Sequence, residues 1–282
     1  MYKDIHSVMS AQSDLVEVLA RNGYAVAFSY RSARDAANEA VRSLGSEGLQ
    51  VMALEGDVGV RADVITLAVR TEPEQRGPGG ISLVVVEGQP KGLERTNLAK
   101  TGWWASDTAH LRFDGVRVPQ ANLVGEAGAG FKAIMRNFNH ERLMMAAMAC
   151  SYAEACTAEA LAWARERRTF GAALVERQAI RHKLVEMTQR YEAARAMVYD
   201  LAWRTQHRAG DADALVARCC MAKVVATQAM QFCADAAVQI LGGMGFMRGT
   251  KSERLYREVK VMMIGGGSEE IMKDLAARKL GL

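Results

Sequence analysis

From about residue 125 to the C-terminus, apolar residues recur at three-and-four spacing, and a chain patterned this way folds as long amphipathic helices packed on one another. Leu184, Met187, Tyr191, Ala194 and Val198 make one such stripe. The pattern predicts long helices over about 128–166, 178–208 and 211–241, with two shorter ones near 252–263 and 268–279. Gly210 and Asp211 supply a stop and an N-cap between the second and third. Long antiparallel helices make a bundle, and a second apolar face on them points to oligomerisation. Three stretches at the joints, ERRTFGAALVERQAI (166–180), AVQILGGMGF (237–246) and IGGGSEEI (264–271), set glycines, an amide or a hydroxyl beside apolar helical sequence. That layout suits a large polar cofactor held at helix ends.

The first 124 residues have another character. Residues 1–60 read as helix, strand, helix, strand: AVAFSY at 25–30 and LQVMALEGDV at 49–58 flank an amphipathic helix at 34–48. Residues 61–124 read as β, with the short runs VITLAVRT, ISLVVVEG, GLERTNLAK and TAHLRFDGVRVP punctuated by RGPGG and by Pro90 and Pro119. The fold class is therefore multidomain α+β, with boundaries predicted at 1–60, 61–124 and 125–282.

Several classes of function drop out on composition. A formal net charge of +4, dispersed along the chain, argues against nucleic acid and against an acidic membrane surface. The five cysteines lie in apolar helical sequence without metal-ligand spacing, which predicts buried thiols in a reducing compartment. His140, His182 and His207 show no spacing that suggests a metal or a nucleophile pair, so no metal is predicted. No apolar run approaches the roughly 20 residues of a membrane span. Asp4, Asp14 and Glu17 argue against a transit peptide, and the expected location is cytoplasmic.

In order and spacing, the three C-terminal stretches resemble the helical C-terminal domain of acyl-CoA dehydrogenases, and KTGWWASDTAHLRFDGVRVP resembles the second half of that family's middle β-domain. The resemblance covers about 62–282. It implies an oxidoreductase acting on a CH–CH bond: a flavoprotein of fatty-acid β-oxidation using FAD, taking an acyl-CoA thioester to a trans-2-enoyl-CoA, with electron-transfer flavoprotein as acceptor and a homo-oligomer (tetramer or dimer) as assembly. Such chemistry needs a desolvated carboxylate to take the α proton and a cofactor to take the β hydride. Many members place the base near the C-terminus in a Tyr-Glu-Gly-Thr motif, where this chain has Gly266. A subset, long-chain and isovaleryl types among them, carries it on the first helix of the domain just before an arginine, and Glu141–Arg142 matches. From the pattern alone Glu141 is equally a solvated partner of Arg142 or Arg136. Met144, Met145 and Met148 (with Arg142 as the substrate-side group) either bound the acyl tail or fill core.

The resemblance further assigns Arg167, Thr169, Phe170 and Gln178 to FAD phosphate and adenine. Gln239 and Gly243 are assigned to FAD of a neighbouring subunit, and Ser268 and Glu270 to the closing edge of the site. Read locally, Gly242–Gly243 is also a helix C-cap, and Ser268 an N-cap with Glu270 in the first turn. Arg254 and Arg257 read as structural. The N-terminal β-α-β unit resembles a segment of short-chain dehydrogenases/reductases, with Arg31, Arg34, Asp57 and Val58 at NADP-facing positions, but the Gly-rich turn that binds pyrophosphate is absent. Two competing readings follow: a non-catalytic acyl-CoA dehydrogenase-like assembly protein, since the first half of the middle domain and the preceding helical domain are missing, and an NADP-dependent short-chain reductase. TEP at 71–73 resembles a flavin-facing motif but stands in the wrong place and reads as a loop.

Overall fold

The computed structural model describes residues 26–30, 42, 46, 51–55, 64–106 and 108–282. The chain divides into two compact units, residues 1–98 with 107–134, and residues 99–106 with 135–282.

In the first unit, β1 (Val26–Tyr30) and β2 (Val51–Glu55) pair in parallel, with Val26 opposite Val51. Arg42 and Ser46 between them are helical, as a β-α-β unit requires. Arg31, Arg34, Asp57 and Val58 lie outside the described residues, so the NADP reading gains no structural footing. β3 (Val64–Arg70) and β4 (Ile81–Glu87) form an antiparallel pair that β7 (Leu123–Val124) extends. β5 (Leu93–Asn97) pairs antiparallel with β6 (Ala109–Phe113). Thr71, Glu72 and Pro73 fall in the β3–β4 turn, where Arg70 donates to the carbonyls of Gln75, Gly77 and Gly79. At β4 a close backbone approach needs a glycine: a Cβ on Gly130 would stand 2.8–2.9 Å from the Ser82 and Ile81 backbone.

The second unit is the predicted bundle. Helix α1 (Gly130–Glu166), which enters this unit at Met135, runs into the hairpin β8 (Arg168–Thr169) and β9 (Ala172–Ala173). Then come α2 (Gln178–Gln206), α3 (Ala212–Leu241), the single turn α4 (Gly243–Phe246), α5 (Lys251–Ile264) and α6 (Glu269–Leu280). Asp211 caps α3 as expected, its carboxylate accepting from the Asp213 and Ala214 amides at 3.0 Å. Helix α3 is the axle, packed by α2, α5 and α6. Ala146, Ala149, Ala153, Cys156, Ala160 and Ala164 on α1 share a buried core with Ala226, Ala229, Cys233 and Ala237 on α3. Small side chains at three-and-four spacing let these helices approach closely. All five cysteines are buried and unpaired.

One expectation needs correction. Helix α3 is long and apolar enough to cross a membrane, although no such run was expected; Arg218, Lys223 and Asp235 interrupt it, but small apolar residues hold its mean hydropathy up. Most of it is buried within the bundle, the position of a core helix.

Candidate active site

Glu141 and Arg142 sit near the start of the helical unit on α1. Glu141 is half-buried and accepts from the Asn137 amide at 2.6 Å, one helical turn away. Arg142 is buried and does not pair with Glu141. Its Nε donates to the Gly266 carbonyl at 2.8 Å, one η nitrogen donates to the Asn139 side-chain oxygen at 2.9 Å, and the guanidinium lies 5.7 Å from the Phe138 ring centre. The helix that carries Glu141 and the turn that carries Gly266 are thus joined through Arg142.

The turn that carries Gly266 ends α5. Gly265 donates to Val261 at 2.7 Å, and Gly266 takes φ +66°, a left-handed conformation that glycine adopts without strain. A Cβ there would meet the Met145 sulfur at 3.1 Å. Met145 lies one helical turn beyond Glu141, so that face of α1 looks onto the turn. Of the three predicted methionines, Met145 packs against the turn, Met148 joins the bundle core and Met144 is exposed. A cavity of about 350 Å³ between α1 and the α2–α3 turn is lined instead by Asn139, Leu143, Thr205, Leu215, Val216 and Cys219.

Lys223 completes the group, and no sequence motif singled it out. It is fully buried on α3, and its Nζ donates to the carbonyls of Met263 at 2.6 Å and Gly267 at 2.7 Å. Burial, reinforced by the charge of Arg142, pushes this ammonium down to about 8. Ser268 occupies the N-cap position of α6, but its side chain makes no capping bond. Its hydroxyl instead donates to Glu270, whose carboxyl is held below the usual range by its own backbone amide and then by Ser268. Glu270 itself is exposed.

A second group lies at the far end of α1. The β8–β9 hairpin has a two-residue tip in which Phe170 (φ +51°) and Gly171 (φ +81°) both lie in the left-handed region, a type I′ turn. Phenylalanine is a strained choice there, and this one is 99% exposed. Arg177 donates to the Thr169 and Phe170 carbonyls and Arg168 to Gly171, which locks the tip. Arg167 is exposed and its guanidinium has no partner among the described residues; Thr169 is half-buried, and Gln178 is exposed at the first residue of α2. Free basic donors at a helix start suit a diphosphate. About 39 Å of helix separates Glu141 from Arg167 at 1.5 Å per residue.

Gln239 and Gly243 are exposed at the α3–α4 joint, where Gly242 (φ +61°) reverses the chain. Met244, Phe246 and Met247 project outward beside them. Arg257 is structural as expected, pairing with Glu253 and stacking 4.0 Å over Trp104, whose opposite partner is Arg248 at 4.5 Å.

Comparison with known proteins bears on the same residues. The family model described as acyl-CoA dehydrogenase, C-terminal domain, matches residues 128–281. An acyl-CoA dehydrogenase of Bacillus subtilis (strain 168) is 38% identical over 226 residues, covering 79% of this chain and 58% of the relative. The mitochondrial long-chain specific acyl-CoA dehydrogenase of Rattus norvegicus is 34% identical over 224 residues, 79% of this chain and 51% of the relative. A solved structure, a probable acyl-CoA dehydrogenase from Mycobacterium abscessus, is 44% identical with a TM-score of 0.75, over 79% of this chain and 58% of that one. The chain spans little more than half the length of these relatives.

Proposed function

The chain belongs to the acyl-CoA dehydrogenase family, and from that premise we propose that it serves an FAD-dependent α,β-dehydrogenation of an acyl-CoA thioester to the trans-2-enoyl-CoA, with Glu141 as base. The observation that carries the reading is the bond from Arg142 to Gly266. It joins the glutamate-bearing helix to a turn that offers no side chain of its own, which supports Glu141 as the group that takes the α proton. FAD, when bound, supplies the acceptor for the β hydride. Arg167, Thr169, Phe170 and Gln178 hold its diphosphate and adenine end, a role that the unpartnered Arg167 and the outward Phe170 support.

The separation of Glu141 from that hairpin supports an assembly in which two copies share each cofactor site. The exposed Met244, Phe246 and Met247 beside Gln239 and Gly243 give such a contact its apolar surface. Electron-transfer flavoprotein as acceptor and a cytoplasmic location belong to the same proposal. The five buried thiols support a reducing compartment.

The test is the visible spectrum of the protein with added FAD. Bound flavin that bleaches anaerobically on addition of acyl-CoA supports the proposal. Glu141→Gln should keep the flavin and lose the bleaching; equal bleaching in that variant would remove Glu141 as the base. If no flavin is retained even with excess FAD, this chain is an assembly subunit, and the catalytic reading fails.

A further inference from the structure

Lys223 is the buried cation to which the proposed chemistry assigns no task. Among the described residues no carboxylate lies within ion-pair distance of it, and its two acceptors are both main-chain carbonyls. Desolvating an ammonium costs several kcal/mol unless its partners are well placed. A neutral donor would satisfy two carbonyls at less cost, so packing alone does not account for a lysine.

The carbonyls themselves show what it does. Met263 lies in the last turn of α5, where carbonyls have no helical partner, and Gly267 immediately precedes the N-cap of α6. Lys223 therefore ties together the two ends of the segment Met263–Gly267, which contains the turn. The carbonyl between them, Gly266, is held by Arg142 from the opposite helix. The turn's amides make two bonds of their own, both back into α5: Gly265 to Val261 at 2.7 Å and Gly267 to Ile264 at 3.2 Å. Three glycine-rich residues with so little internal bonding take their shape from these two cations.

We propose that Lys223 is a positioning residue for the site: by clamping both ends of Met263–Gly267 it fixes the backbone wall that faces the Glu141 side of α1. This rests on the dehydrogenase reading, in which the thioester is bound between that wall and the base. The ammonium does not touch the reacting atoms; it acts through the place it gives Gly266.

The test compares the full chain loaded with FAD, as wild type, Lys223→Met and Lys223→Gln, at one pH. Lys223→Met keeps the length of the side chain and removes the donors, whereas Lys223→Gln retains a donor for one carbonyl and serves if the methionine variant does not fold. Two quantities are read: amide exchange in peptides spanning 261–270 and 146–160, and the single-turnover rate of flavin bleaching at saturating acyl-CoA. Exchange should quicken at 261–270 and stay unchanged at 146–160. The bleaching rate should fall roughly 10- to 100-fold with flavin content unchanged, as misplacement by about 1 Å does elsewhere. Lys223→Gln should lie between the two. Unchanged exchange and bleaching in both variants would overturn the clamp while leaving the dehydrogenase reading intact. Exchange that quickens everywhere would make Lys223 an ordinary structural residue. A wild type that binds flavin but never bleaches would overturn the dehydrogenase reading, and the role given to the turn with it, whatever the exchange shows.

Discussion

The Nε of Arg142 donates to the carbonyl of Gly266 across 2.8 Å and joins two residues 124 positions apart in the chain. That bond ties the helix carrying Glu141 to a turn made of three glycines, and the proposed assignment of Glu141 as base rests on it. Arg142 is committed to the turn and to Asn139, while the Glu141 carboxylate accepts from Asn137 instead.

Arg142→Met should cost about 2–4 kcal/mol, because it strips the donor from a buried carbonyl and from the Asn139 amide oxygen. Arg142→Lys, which cannot reach two acceptors in a fixed fork, should recover only part of the loss. Urea unfolding of the three proteins checks this. A change within about 0.5 kcal/mol for Arg142→Met would mean that the carbonyl finds another partner.

Gly266→Ala should destabilise by about 1–2 kcal/mol, since an L side chain resists φ +66° and its Cβ presses on the Met145 sulfur. The same change should slow flavin bleaching by pushing Met145 toward the base. Pairing it with Met145→Ala separates the two causes. Bleaching should recover in the double variant, while the backbone part of the stability loss remains.

Much of the bundle was legible in the sequence because helix length and ends are local properties. The stripe Leu184–Val198 and the cap at Asp211 place α2 and the start of α3 within about two residues. Lys223 was not legible. In the sequence it is one charge in an apolar helix, and its role depends on carbonyls 40 and 44 residues away that carry no side-chain signature. The short turn α4 was missed because Gly242 and Gly243 read as a simple helix end. The commitment of Arg142 to Gly266, rather than to Glu141 beside it, is likewise a tertiary fact.

Stability should depend on Lys223 above neutral pH, with a definite sign. Its pKa is about 8 in the folded chain against 10.5 when unperturbed, so between those values the unfolded chain binds more protons and stability rises with pH. Below pH 8 the burial cost, on the order of 3 kcal/mol, is fully present. The buried thiols oppose this as the pH rises through 9. Burial raises Cys150 and Cys233 to about 11 and Cys156 and Cys219 to about 12, so the folded chain keeps protons that the unfolded chain has lost, and stability falls. Four thiols outweigh one lysine, so the contribution of Lys223 shows as a difference: between pH 8 and 10 wild type should lose stability less steeply than Lys223→Met. Urea midpoints at half-unit steps from pH 7 to 10 decide the matter; equal declines in both proteins would remove Lys223 as the source.

Phe170 gives the last prediction. An L residue in the left-handed region costs about 1–2 kcal/mol, and a side chain 99% exposed recovers nothing from its own chain. A strained, outward aromatic at the tip of a turn locked by Arg168 and Arg177 fits the cofactor contact proposed for it. Phe170→Gly should therefore raise the urea midpoint of the cofactor-free protein by an amount equivalent to about 1 kcal/mol. It should at the same time weaken flavin retention on gel filtration, because the ring is lost from the cofactor contact. Phe170→Tyr should keep both the strain and the flavin. If Phe170→Gly is more stable and holds flavin as tightly as wild type, the hairpin does not contact the cofactor, and the strain at its tip belongs to a contact between subunits instead.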